Sequence, residues 1–169
     1  ALTDDHSLVA QHDTLGNFRF HADVASDGSA HKWLLTENET NSKELFGVDN
    51  YTPYVKDAFH QYVIQGNQEA VSHFPFGTKA AAHYVFTIPA GGEVTVNLRL
   101  YADSEAPPRP FGKEFEQVFT VRKQEADRFY AKAIPGNLPA PQKEVARQAY
   151  AGLLWSKQFY HYVVEDWLK

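Results

Sequence analysis

Hydrophobic and polar residues alternate along much of the first two thirds of the chain. Phe18, Phe20, Ala22 and Val24 fall on one side of an extended segment and Arg19, His21 and Asp23 on the other, the period-two pattern of a strand with one buried face. Ser26-Asp27-Gly28 supplies turn chemistry, and Lys32 to Thr36, carrying Trp33, Leu34 and Leu35, reads as the returning partner of that strand. A second hairpin is predicted where Tyr84, Phe86 and Ile88 alternate up to Pro89-Ala90-Gly91-Gly92 and Val94, Val96, Leu98 and Leu100 alternate beyond it. Between the two hairpins the period changes. Tyr54, Val55, Ala58, Phe59, Tyr62 and Val63 recur at helical spacing, with Thr52 placed to cap, Pro53 at the first helical position and Gly66 at the end.

The proline-rich stretch Ala106-Pro107-Pro108-Arg109-Pro110 marks a change of composition and a boundary. Beyond it Phe115, Phe119, Arg122, Ala126, Phe129 and Ala133 keep a three-to-four spacing, which predicts a helix from Lys113 to Ile134. Pro135, Gly136, Pro139 and Pro141 then break it, and Gln142 to Lys169 reads as one further helix with apolar residues on more than one face. The fold class that follows is mainly β, a partial β-sandwich with a short inserted helix, followed by two long α-helices, the β and α parts segregated. Its divisions are 1–104 for the sandwich portion, 105–141 for the linker and its helix, and 142–169 for the aromatic helix. A helix with Trp155, Tyr160 and Trp167 cannot bury its rings on a single neighbour. It predicts a partner surface, supplied by further chain or by a homodimer through this last helix.

Composition narrows the function classes. A chain of 169 residues, 43% hydrophobic and 14% aromatic, fills a core. A formal net charge of -5 with no Lys/Arg cluster argues against nucleic acid and anionic membrane as partners. No apolar run approaches a membrane span, and Ala1-Leu2-Thr3-Asp4-Asp5-His6 lacks the pattern of a signal peptide. The absence of cysteine excludes disulfides and thiolate chemistry and fits a cytoplasmic setting. Asn38-Glu39-Thr40 and Asn50-Tyr51-Thr52 are read as unglycosylated, and the absence of methionine makes Ala1 read as a cut end within a longer reading frame.

Candidate chemistry is sparse. Glu37-Asn38-Glu39-Thr40-Asn41 gathers carboxylates and amides in a short loop, enough oxygens for calcium or enough hydrogen bonds for a sugar, or simply a solvated turn. Glu37 and Glu39 stand too close in sequence for an inverting hydrolytic pair, whose carboxyls flank a substrate at about 6.5–9.5 Å. His6, His12, His60, His73, His83 and His161 show no metal-ligand spacing, and no nucleotide or serine-hydrolase signature occurs, so neither metal nor cofactor is expected. Trp155-Ser156-Lys157-Gln158-Phe159-Tyr160-His161-Tyr162 mixes rings with hydrogen-bond donors. Packing on other helices is its plainer reading, and Trp155 and Lys157 are its candidates for a sugar contact.

Four stretches carry a resemblance: Leu34-Leu35-Thr36-Glu37-Asn38-Glu39-Thr40-Asn41, Tyr54-Val55-Lys56-Asp57-Ala58-Phe59-His60, Gly77-Thr78-Lys79-Ala80-Ala81-Ala82-His83-Tyr84 and Leu153-Leu154-Trp155-Ser156-Lys157-Gln158-Phe159-Tyr160-His161-Tyr162. From Leu34 to Lys169 the chain resembles large bacterial proteins related to the glycoside hydrolase family 63 glucosidases. The resemblance implies an N-terminal β-sandwich, a linker and an (α/α)6 barrel that inverts an α-glycosidic bond. This chain matches the sandwich and linker, so it carries no catalytic residue, is inactive alone, and has the barrel as its partner. An oligosaccharide or small α-glucoside is then met indirectly, with Glu37, Glu39 and Lys79 in loops that form one wall of the barrel's pocket. The rival expectation is a self-standing carbohydrate-binding or protein-interaction module.

Overall fold

The structure, a computed structural model, describes residues 1–4, 7–157 and 163–169. The chain forms two compact units, Ala1–Gly112 and Lys113–Lys169. The first runs β1 (Leu2–Asp4), β2 (Ser7–His12), β3 (Gly16–Ala22), β4 (Lys32–Thr36), α1 (Ser42–Phe46), α2 (Ala58–Gln65), β5 (Lys79–His83) and β6 (Leu98–Ala102), with single 3-10 turns at Gln68–Ala70 and Asp103–Glu105. Its strands make two small antiparallel sheets, one in the order β1-β2-β3-β6 and the other β4-β5.

The alternation over Phe18 to Ala22 is realised in β3. Phe20 meets Trp33 edge-on at 5.8 Å, Ala22 is fully buried, and on the opposite face Arg19 pairs with Asp103 at 2.5 Å. The partners of β3 differ from expectation. Its hairpin is made with β2, through a turn in which Gly16 takes φ 84° and His12 Nδ1 accepts the N–H groups of Thr14 and Leu15. Its other edge is taken by β6, from Phe18↔Ala102 to Ala22↔Leu98. With both edges filled, Lys32–Thr36 does not return along β3 but pairs with β5, from Lys32↔His83 to Thr36↔Lys79. The second expected hairpin is corrected in the same way. The turn at Pro89–Gly92 forms, with Gly92 N–H on Pro89 O at 2.9 Å, yet its arms do not pair with each other: residues 84–88 belong to no strand, and the later arm enters β6, which pairs with β3.

The first unit's core explains that choice. Leu34 packs with Ala58, Ala70 and Val71 and against Phe59, Tyr62 and Ala81, so β4 lies beside β5 and under α2. Beside it the Thr36 hydroxyl, completely buried, donates to Val55 O at 2.9 Å. That bond, with Lys56 N–H on Glu39 O at 2.9 Å, holds residues 55 and 56 to the β4 end of the chain. It delays the helix: α2 begins at Ala58 rather than Pro53, and Thr52 Oγ1 instead accepts Tyr54 N–H at 3.2 Å. The helix ends where expected, at Gly66 in the left-handed conformation. The pattern gave no sign of α1, which Asn41 caps by accepting Glu44 N–H at 3.2 Å and Gly47 closes with φ 68°.

Tyr84 ties the end of β5 to β3, donating to Asp23 O. Burial raises its pKa, and the Asp23 carboxylate adds to the rise. A phenol whose folded pKa exceeds its unfolded value contributes stability that is intact below about pH 10 and is lost as pH climbs through the folded value. In chemical denaturation from pH 8 to 12, wild type should therefore lose stability more steeply in the alkaline limb than Tyr84→Phe. Parallel curves would rule out this linkage.

The second unit contains α3 (Lys113–Ala133), α4 (Ala140–Trp155) and α5 (Val164–Trp167). Glu114 and Glu116 in the first turn of α3 and Lys132 in its last complement the helix dipole. Pro141 does not break the chain but occupies the first turn of α4, where its missing N–H costs nothing. The expected single helix from Gln142 to Lys169 is corrected. α4 ends at Trp155, Ser156 Oγ donates to Leu153 O at 3.2 Å, and α5 is one turn. Among the described residues no helix is long and apolar enough to cross a membrane.

Candidate functional site

Glu37 and Glu39 follow β4 at one end of the small sheet. Thr78, just before β5, bridges back to them: its hydroxyl donates to Glu37 Oε2 at 2.6 Å and accepts Asn38 N–H at 2.7 Å. Gly77 makes the bridge possible, because a Cβ there would stand 2.6 Å from Thr36 O. Only a glycine lets the two backbones run so close. Glu37 and Glu39 then line an open depression of about 520 Å³ together with Tyr51 and Thr52. The Tyr51 ring is fully exposed at 103%.

The remaining loop residues do structural work. Asn41 Oδ1 accepts Glu44 N–H and Asn50 Nδ2, while its Nδ2 donates to Asp57 Oδ2 at 3.0 Å. Lys56 Nζ donates to Thr40 Oγ1 at 3.0 Å. Lys79 is in β5 at the same end of the sheet, but its ammonium donates to Lys56 O and lies 5.0 Å from the Phe59 ring centroid. It therefore braces α2 and does not line the depression. Among the described residues no group of three His, Asp or Glu converges as a metal site.

Tyr51 and Thr52 were missed as site residues. Thr52 fitted a helix-cap pattern, and an isolated tyrosine in a polar loop carries no periodic signal. Their approach to Glu37 and Glu39 follows from Lys56 N–H reaching Glu39 O, a contact across 17 positions that local pattern cannot show.

Trp155 and Lys157 belong to the helical unit. Trp155 ends α4 and is 92% exposed, and Lys157 N–H lies 3.4 Å from Leu154 O just beyond it. The rest of the expected aromatic run, Gln158 to Tyr162, lies outside the described residues, as do His6 and His161. A second feature of this unit, without a signature in the sequence pattern, is a cavity of about 540 Å³ lined from α3 and α4. There Arg147 pairs with Asp127 at 2.6 Å and lies 4.8 Å from the Tyr130 ring centroid, above a buried Ile134.

Many large apolar side chains are exposed. The chain's accessible surface is 13197 Å². A compact protein of 19.1 kDa exposes about 8,400 Å², and two separate compact units of these lengths about 10,000 Å². Val145, Leu153, Leu154, Trp155, Trp167 and Leu168 all contribute to the excess, and no residue of α4 is buried.

Three comparisons bear on the chain. No protein-family model matches it. It is 38% identical over 146 residues to YMR196W of Saccharomyces cerevisiae, an uncharacterized protein; the match takes 79% of this chain and 13% of that protein. The chain thus spans a small fraction of the length of the curated relative it matches. No solved structure matches it.

Proposed function

We propose that the chain is the non-catalytic N-terminal and linker part of a glycoside hydrolase family 63-like α-glycosidase of the α-glucosidase type, working in the cytoplasm. Its first unit belongs to a β-sandwich, and its helices brace the catalytic (α/α)6 barrel. The observation that carries this reading is the row of exposed apolar side chains on the helical unit, Val145, Leu153, Leu154, Trp155, Trp167 and Leu168, a surface that free domains rarely leave open. The four resembling stretches support the family, and the much greater length of the yeast relative is in keeping with a segment of a large protein. The depression at Glu37, Glu39 and Tyr51 supports a wall of the sugar pocket, since an exposed ring covers the apolar face of a pyranose while carboxylates accept its hydroxyls.

The test is hydrolysis of a panel of α-glucosides and α-mannosides by the longer protein and by this chain alone, with the anomer of the product read by NMR. Cleavage with inversion by the longer protein, and none by the chain, is expected. Absence of hydrolysis in both would sink the enzyme reading. In the longer protein, Tyr51→Ala should raise KM roughly tenfold, about 1.4 kcal/mol of lost stacking; an unaltered KM for Tyr51→Ala removes the depression from the pocket.

The same depression favours a second reading, a self-standing carbohydrate-binding module. Calorimetric titration of the chain with malto-oligosaccharides separates the two. Binding by the isolated chain supports the module, and silence supports the bracing role.

A further inference from the structure

We infer that the free edge of β5 seats one further β-strand, contributed by the polypeptide of the longer protein outside these 169 residues, and that this strand lies over Leu98 and Leu100 of β6. The inference rests on the reading that the chain is part of a larger protein. It names the edge at which the remaining polypeptide enters the first unit and the form it takes there.

β5 has one neighbour, β4. On the far side of β4, Leu35 O accepts Ser72 N–H at 2.7 Å, so the backbone of Leu35 points away from β5. In an antiparallel pair that direction alternates from residue to residue. Leu34 and Ala81 therefore bond each other, while Ala80 and Ala82 turn their N–H and C=O groups to the open side of β5. Among the described residues no strand takes those groups. An open row of donors and acceptors is a template for one more extended chain.

The side chains beside that edge are uncovered as well. Residues paired across a sheet share a face, so Phe20 stands with Leu100, and Ala22 with Leu98, on the side that meets Trp33 of β4. Trp33 and Leu35 in turn share their side with Ala82 and Ala80. Leu2 N–H of β1 bonds Pro75 O, just beyond the Ser72 that takes the outer edge of β4, so that edge is turned toward β1 and the edge of β5 toward β6. Cover ends at β5. Ala22 is completely buried, yet its partner Leu98 is 49% exposed, Leu100 is 63% exposed, and Ala80, on the facing side of β5, is exposed too.

Edge and face together identify the occupant. A helix laid across Leu98 and Leu100 leaves the outward groups of Ala80 and Ala82 without partners. A strand on the edge of β6 lengthens the four-stranded sheet and stays beside the leucines, not over them. A strand about 4.8 Å beyond β5 bonds Ala80 and Ala82 and drops alternate side chains onto Leu98 and Leu100. With stacked sheets about 10 Å apart, those side chains must be large and apolar to close the space. The chain's own alternating segments are already placed: Tyr84 reaches Asp23 O, and Thr95 and Asn97 bond Ser26 and Asp23. Two copies joined symmetrically by their β5 edges would set only Ala80 and Ala82 over the leucines. A covalently linked strand brings larger residues at the high effective concentration of an intramolecular partner.

Hydrogen exchange at single amides and thiol labelling test this, on the isolated chain and on the longer protein. Ala81 N–H, bonded to β4, is the internal reference. In the isolated chain Ala80 and Ala82 should exchange faster than Ala81; in the longer protein both should slow by on the order of a hundredfold and fall into line with it. The 169 residues contain no cysteine, so Leu100→Cys, followed with a maleimide by peptide mass, reports on the face. It should label on the order of a hundredfold more slowly in the longer protein. Unchanged exchange at Ala80 and Ala82 overturns the inference, and a protected thiol beside such unchanged amides means that the cover is not a strand. Slowed amides with an unprotected thiol overturn its place over β6. Protection that already grows with concentration in the isolated chain overturns it in favour of a second copy. Hydrolysis of α-glucosides by the same longer protein separates the two readings: protection without hydrolysis refutes the enzyme and leaves the strand, and hydrolysis without protection refutes the strand alone.

Discussion

Leu34→Ala is expected to lower the thermal midpoint of the first unit by roughly 12–15 °C, the equivalent of about 3–4 kcal/mol. Leu34 is 1% exposed and is the largest side chain at the centre of its cluster. Its neighbours Ala58, Ala70 and Ala81 are too small to lean into a vacated space, so the cavity stays open and the cost falls in the upper part of the range for such truncations. Trp33 is adjacent and half-buried, whereas Trp155 and Trp167 are exposed, so tryptophan fluorescence follows this unit's unfolding against a nearly constant background. Leu34→Met, which keeps the volume, should cost less than about 1.5 kcal/mol. A drop below about 1 kcal/mol for Leu34→Ala would mean that β4 and α2 do not share a core.

The same residue shows what pattern could and could not reveal. Trp33-Leu34-Leu35 announced a buried strand, and β4 is one, but three apolar residues in a row do not name the neighbour. Alternation over Tyr84 to Ile88 correctly put alternate side chains together, and the Tyr84 and Phe86 rings stack at 5.5 Å. The error lay in joining that arm to the next through the turn at Pro89. Asn97 O accepts Asp23 N–H, and Thr95 O accepts Ser26 N–H, so the later arm follows the chain beyond β3. Strand pairing is decided by which core each strand must cover, and that is a property of distant residues such as Ala58 and Val71. Helices were more legible. The spacing from Lys113 to Ile134 gave α3 nearly to the residue, because helical hydrogen bonds and their period are local. Of the candidate site, Glu37 and Glu39 could be marked from a polar loop after a strand. Tyr51 could not, since what brings it beside them is a backbone bond between Lys56 and Glu39.

Gly77→Ala is the substitution expected to disturb that site without touching any residue that lines it. A methyl at Gly77 would lie 2.6 Å from Thr36 O, 3.2 Å from Thr36 C and 3.3 Å from Thr36 N, and backbone atoms of a buried strand cannot step aside as a side-chain tip would. The segment before β5 must shift outward, and overpacking of this kind costs about 1–3 kcal/mol. Thr78 moves with it and loses its reach to Glu37 Oε2 and Asn38 N, so the loop from Glu37 to Asn41 is released at one end. The expected result is a thermal midpoint lowered by roughly 4–12 °C, with faster amide exchange at Asn38. Thr78→Val separates the two consequences: it deletes the bridge but leaves the close approach, and should speed exchange at Asn38 with a loss of only about 1 kcal/mol. Gly152→Ala is the contrasting case. A Cβ there meets nothing within 4 Å, and the position is inside α4, so the helix should gain about 0.5–1 kcal/mol. If Gly77→Ala melted like wild type, the contact between Gly77 and Thr36 would not exist in solution. The Thr78 bridge would then have to be held by something other than the tight passage of the two chains.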